Sequence, residues 1–128
     1  MTSAYLPPLC PTSPDVEIAE QLCELVAIAV AAAFAVPITE LRAVSRRPRA
    51  VAFARQSAMY LAHVAFGLTL TDVGRAFGRD RTTAAYACEQ VEHMRDDPVL
   101  DAALEALEHA CGVLARSLDA QLQNRVPA

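Results

Sequence analysis

The chain has 128 residues, 54% of them hydrophobic, only 4 glycines and a formal net charge of −4. That length fits one domain able to bury a core without disulfide or metal staples. The alanine-rich, glycine-poor composition, in which Val and Ile never alternate cleanly over a strand's length, excludes a β-rich fold and favours packed helices.

Residues 1–14 hold Pro7, Pro8, Pro11 and Pro14 and are expected to be a flexible lead-in. A helical domain is expected over 15–120, with a short tail at 121–128. Asp15 can cap a first helix over about 16–35, with Ile18, Leu22, Leu25, Ala29 and Ala33 together on one apolar side. Pro37 ends that helix. "ITELRAV" makes a short helix or turn, and "SRRPRA" (45–50) a basic loop, with Pro48 holding Arg47 out of helical geometry. The next helix runs over about 51–66 and stops at Gly67. A short helix follows at about 71–76, capped by Thr69 or Thr71. "FGRD" forms a tight turn, and a helix over about 81–95 starts at the cap Asp80. Ala84, Ala87, Cys88 and Val91 are its core face, and Thr82, Tyr86, Glu89 and His93 its outer face. Asp97 caps the last helix, about 98–120, with Pro98 at its first position.

Several function classes are excluded on the same grounds. Cys10, Cys23, Cys88 and Cys111 have no CxxC spacing; three of them fall inside apolar helical patterns, so buried thiols in a reducing, cytoplasmic setting are expected. The first residues carry no Arg or Lys, so no secretory signal is expected. The apolar run 25–36 is too short for a bilayer, so no membrane partner is expected. His63, His93 and His109 share no ligand spacing with the cysteines, and no nucleophile motif or paired carboxylate stands out. No metal, cofactor or catalytic site is expected.

Charge is unevenly placed. Residues 1–41 carry five acids and no base, residues 42–95 nine arginines and four acids, and residues 96–128 two arginines and six acids. There is no lysine, so every cationic contact is a planar fork. A partner that reads charge would meet the middle segment.

That middle segment contains a short helix, a tight glycine turn and a second helix, the helix-turn-helix pattern. Val73 packs inward, Gly74 permits close helix approach and Gly78 supplies the turn. "RDRTT" is then the start of a recognition helix, where free backbone N–H groups face phosphate. Arg79 and Arg81 offer forks to phosphate or guanine, and Thr82 and Thr83 can bond phosphate and touch a thymine methyl. Asp80 has two readings, helix cap or acceptor from cytosine. Tyr86 touches DNA or lies over the helix surface.

The stretch "RQSAMYLAHVAFGLTLTDVGRAFGRDRTTAAYACEQVEHM" resembles the C-terminal DNA-binding domain of the bacterial replication initiator DnaA. Arg55-Gln56 with Ala58-Met59-Tyr60-Leu61 matches that family's long helix. Leu70, Val73-Gly74 and Ala76-Phe77-Gly78 match its scaffold helix, and Arg79-Asp80, Thr82-Thr83 and Ala87-Cys88 its recognition helix. The resemblance implies an all-α fold and double-stranded DNA as partner. It implies that Arg46, Arg47 or Arg49 enters the minor groove and that Asp80, Arg81, Thr82 and Thr83 read the major groove. Arg55, in the long-helix motif, joins the expected DNA-binding set. The family has His at Arg81, bulky aliphatics at Ala84 and Ala85, and a charged residue at Gln90. A fork in place of an imidazole points to a more guanine-containing site.

The chain contains no GxxxxGK[ST], so it is expected to be a stand-alone reader rather than a complete initiator. The resemblance extends to DnaA-like activators of gene transfer agents in alphaproteobacteria, which pair such a domain with a part that contacts RNA polymerase. It implies a nucleoid-associated transcriptional regulator with RNA polymerase or a second transcription factor as protein partner. The alternative is a protein-interaction factor or antagonist acting on initiator sites or proteins. The stripe Leu100, Leu104, Leu107, Cys111, Leu114 and Leu118 either packs on the domain's own first helix or forms a homodimer seam.

Overall fold

The computed structural model describes residues 14–41 and 49–125, with no side-chain account for 14, 15, 118, 119 and 121–125. The lead-in 1–13 and most of the basic loop, including Arg46 and Arg47, lie outside the described residues. The described residues form an all-α structure in the order α1 Pro14–Phe34, α2 Ile38–Leu41, α3 Arg49–Phe66, α4 Leu70–Ala76, α5 Arg81–Met94 and α6 Pro98–Arg125.

Helix α3 is the central element. Its Val51, Ala54, Ser57, Ala58, Met59, Tyr60, Leu61 and Ala62 are buried. Helices α1, α5 and α6 all pack on it, and α4 packs on α5 and α1. The small residues Ala54, Ala58 and Ala62, four apart, let neighbouring helices approach closely.

The buried face of α1 differs from the one its sequence suggests. Ala19, Cys23, Val26, Ala27, Val30 and Ala31 are buried, whereas Ile18 is 41% exposed and Leu25 37%. The helix is apolar on nearly every side between 25 and 34, so periodicity there does not single out a face. Packing selects the row of smaller side chains, which brings α1 closest to α3. Pro14 takes the first helical position, a place where its missing N–H costs nothing. At the other end Ala35 adopts φ 56. Its N–H bonds Ala32 O, and Val36 N–H bonds Ala31 O at 2.9 Å, which closes the helix with a Schellman motif.

Helix α6 runs to Arg125, five residues past the expected end, and packs chiefly on α3 with a lesser contact to α1. Its leucine stripe divides. Leu104 and Cys111 are buried and Leu107 packs against the core, but Leu114 is 37% exposed. Asp97 starts the helix as its sequence predicts, with Oδ1 accepting from Val99 N–H at 2.9 Å.

One polar cluster joins three helices. Arg95, at the end of α5, donates to Asp101 (2.6 Å), Glu108 (3.1 Å) and the Tyr60 hydroxyl (2.9 Å). Tyr60 in turn donates to Glu92 at 3.0 Å. The Asp101 carboxylate, ahead of Glu108 and Tyr60, holds Arg95 above its ordinary pKa, and burial raises that of Tyr60. Cys23 and Cys111 are buried and Cys88 is half-buried. Among the described residues no helix is long and apolar enough to cross a membrane.

Candidate nucleic-acid interface

The two helices α4 and α5 are set by three backbone devices. Thr69 caps α4, its hydroxyl accepting from Asp72 N–H at 3.1 Å. Gly78 turns the chain at φ +69, a conformation that penalises other residues. Gly74 lies against the turn, where Arg79 N–H donates to Gly74 O at 2.6 Å. A Cβ at Gly74 would stand 2.6 Å from the Asp80 carbonyl oxygen. Only glycine allows the first helix to approach the cap of the second this closely.

Asp80 is the N-cap of α5. Its Oδ1 accepts from Thr83 N–H at 2.8 Å, and its carbonyl accepts from Ala84 N–H at 3.1 Å. The Thr83 backbone N–H, then the Thr83 hydroxyl, hold the Asp80 carboxyl below its usual range. One carboxylate oxygen is thus committed to the cap.

Helix α5 anchors itself through Ala84, Ala87 and Val91, all buried. This fixes the opposite side outward. Arg81, Thr82, Thr83 and Tyr86 are exposed, Tyr86 by 55%. Arg81 makes no hydrogen bond or ion pair with the described residues, so its fork stands clear beside the first-turn N–H groups. The structure thereby brings together Asp80, Arg81, Thr82, Thr83 and Tyr86 on one exposed end and side of a single helix.

The other expected arginines are placed differently. Arg79 is half-buried, and its Nη1 donates back to Phe77 O at 2.9 Å. Arg55 is half-buried too. Its Nε donates to Leu41 O at 2.8 Å and its Nη2 to Glu40 O at 3.4 Å. It therefore satisfies the C-terminal carbonyls of α2 and ties that helix to α3. Arg75 pairs with Asp72 one turn away, at 2.9 Å. Arg49 is the exposed first residue of α3.

Arg49 also lines an open groove with Phe53 and Gln56 of α3 and Gln90 and Met94 of α5. Gln56 and Gln90 escape a reading based on charge and periodicity, because uncharged amides mark neither. Gln56 shares the Arg49 face of α3 at two turns' distance, and only the packing of α3 on α5 adds Gln90. Among the described residues no group of His, Cys, Asp and Glu could hold a metal ion.

Residues 23–91 match the family described as bacterial dnaA protein helix-turn-helix. The match runs from inside α1 to the last buried residue of α5. The chain is 48% identical over 64 residues to the chromosomal replication initiator protein DnaA of Caulobacter sp. (strain K31), covering 48% of this chain and 13% of the relative. It is 38% identical over 78 residues to DnaA 2 of Chlamydia pneumoniae, covering 60% of this chain and 17% of the relative. With DnaA of Lactococcus lactis subsp. cremoris (strain MG1363) the identity is 46% over 54 residues, 41% of this chain and 12% of the relative. The matched part of the chain thus spans less than a fifth of these relatives' length.

Proposed function

We propose that this chain, which belongs to the bacterial DnaA helix-turn-helix family, binds duplex DNA sequence-specifically and regulates transcription. A helix-turn-helix binds DNA by setting the start of its second helix in the major groove. The observation that carries the reading is the first turn of α5, where Arg81, Thr82 and Thr83 are exposed on a helix capped by Asp80. Arg81 is unengaged there and is the base reader, by bidentate contact with guanine O6 and N7. Thr82 and Thr83 bond phosphate or touch a thymine methyl, Tyr86 lies against the same strand, and Arg49 with Arg46 and Arg47 supplies the adjacent minor-groove contact. Arg55 and Arg79 act at one remove, through the backbone carbonyls they hold, and can add phosphate contacts at their exposed edges.

The regulatory role rests on the resemblance to activators of gene transfer agents and on the charge layout. A basic middle meets DNA, and acidic flanks are left for RNA polymerase or a second transcription factor. The turn of α6 around Leu114, which is exposed, is the segment that a homodimer would use.

Selection of bound sequences from a random duplex pool tests the reading. The expected result is one strong motif containing guanine. Arg81→Ala should then lose preference at one guanine by about 1–3 kcal/mol, while affinity for other sites falls much less. A motif identical to the initiator's own box would favour an antagonist of initiation. No motif, or an unaltered ranking of sites in Arg81→Ala, would remove the base-reading role.

A further inference from the structure

We infer that the outward face of α1 is a docking surface for a basic amphipathic helix of a partner protein. The inference does not depend on the DNA reading, because it rests on a different helix.

Helix α1 has two apolar rows. One, from Ala19 to Ala31, is spent on the core. The other is Ile18, Gln21, Leu25, Ile28 and Ala32, all exposed. Their spacing alternates 3 and 4, the seam of a two-helix coiled coil. Three of them are large: Ile18 is 41% exposed, Leu25 37% and Ile28 49%. The row extends over roughly 21 Å at 1.5 Å per residue. Exposed large apolar side chains are unremarkable when scattered, but three on one helix face at seam spacing, interrupted only by the amide of Gln21, mark an interaction surface. On α6 Val99, Ala102, Ala106, His109 and Val113 are exposed at the same spacing, but only two of them are large apolar residues and these lie 14 residues apart; Val64, Tyr86, Met94 and Leu114 are scattered over three helices.

Charge decides what fits the row. Glu17 and Glu20 are exposed along one edge of it, Glu24 continues that edge, and α1 carries no Arg or Lys. A second copy of α1 is a poor occupant. Paired antiparallel, it sets this acidic edge against its own counterpart, and like charges repel. Paired parallel, it lays the edge against Leu22 and Ala29, with no compensating charge. A helix with its own apolar seam and Arg or Lys beside it satisfies both features, since flanking ion pairs choose the partner and orientation of such helix pairs. Helix α5 packs on α3 and α4, so DNA on α5 and a partner on α1 can be held together.

The test uses the full chain and a fluorescent synthetic peptide of about three heptads, with Leu along its seam and Arg flanking it. A second peptide keeps the seam and replaces Arg by Glu. Fluorescence anisotropy should show saturable binding of the Arg peptide, with the Glu peptide weaker by about tenfold or more. Leu25→Ser and Ile28→Ser should each weaken the Arg peptide by about tenfold, and Glu17→Gln with Glu20→Gln should reduce its salt dependence. Both Ser variants should keep the helical circular dichroism and the DNA affinity of the parent, because neither residue faces the core or α5. Their DNA affinity therefore reports on the DNA reading independently of the peptide result. Leu114→Ser should leave peptide binding unchanged. Absence of binding, equal binding of the two peptides, or binding indifferent to Leu25 and Ile28 would overturn the inference. So would a concentration-dependent dimer of the parent chain that Leu25→Ser dissolves, which would give the face to a second copy.

Discussion

Gly74 and Asp80 control the recognition unit from within one contact. Gly74 lets the cap of α5 rest on α4, and Asp80 holds that cap closed. Gly74→Ala would drive a methyl into backbone, which cannot rotate away as a side chain can. It should destabilise the domain by about 1–3 kcal/mol and misplace α5, so urea midpoint and DNA affinity should fall together. An unchanged midpoint would mean that the turn shifts freely. Asp80 makes a prediction in pH. Its carboxyl is held below the ordinary aspartate value near 3.8. A depressed folded-state pKa contributes stability that is present above the unfolded value and lost as pH falls through the folded one. Asp80→Asn keeps an N-cap acceptor but does not titrate. Its urea midpoint should match the parent near neutral pH and fall less steeply below about pH 4. Parallel acid limbs would remove the carboxylate from the pH response.

At the scale of elements, α6 performs two tasks with one stripe. Its first half closes the core over α3 through Leu104, Leu107 and Cys111, and its second half carries Leu114 into solvent. Leu104→Ala should therefore cost about 2–5 kcal/mol, the range for deleting a buried leucine side chain. Leu114→Ala should stay within about 0.5 kcal/mol, as exposed substitutions do. Chemical denaturation of the two variants checks this. A large loss at Leu114 would show that the far turns are covered. The end of α5 is held differently, by Arg95 bridging Tyr60, Asp101 and Glu108. The recognition helix is thus anchored by a cap at one end and an ion-pair cluster at the other, with its exposed side free of both.

Across the whole molecule, net charge and binding surface point in opposite directions. The chain is acidic, yet Arg49 and Arg81 stand exposed and unengaged in its basic middle, and of the described arginines only Arg116 on α6 is likewise exposed and unengaged outside it. On the proposed DNA reading, affinity should fall steeply with salt, by a slope of about 0.9 per neutralised phosphate. Replacing Arg46, Arg47 and Arg49 by Ala should weaken binding to every sequence and flatten that slope by about one per lost contact. An unchanged slope in the triple variant would remove the basic loop from the interface.

Local sequence determined most helix boundaries that depend on a cap or a stop; the start of α1 is the exception, since the expected cap Asp15 lies inside a helix that begins at Pro14. Thr69, Asp80, Asp97, Gly67 and Gly78 each act within a few residues of the backbone they satisfy, so a short window suffices to read them. It also determined the outer face of α5, where Ala84, Ala87 and Val91 are apolar against a polar surround and leave no second solution. Tertiary structure decided what short windows leave degenerate. On α1, where most side chains are apolar, only contact with α3 chose the Ala19–Cys23–Val26–Val30 row and left Ile18, Leu25 and Ile28 outside. On α6 burial stops between Cys111 and Leu114 although the spacing of the stripe does not change there, so the extent of the packed body and not the spacing sets that limit. Arg55, Arg79 and Arg81 are the same residue to a sequence reading. The carbonyl of Leu41, brought to Arg55 by the packing of α2 on α3, holds one, the nearby carbonyl of Phe77 holds Arg79 through the turn geometry, and Arg81 is the one left facing outward.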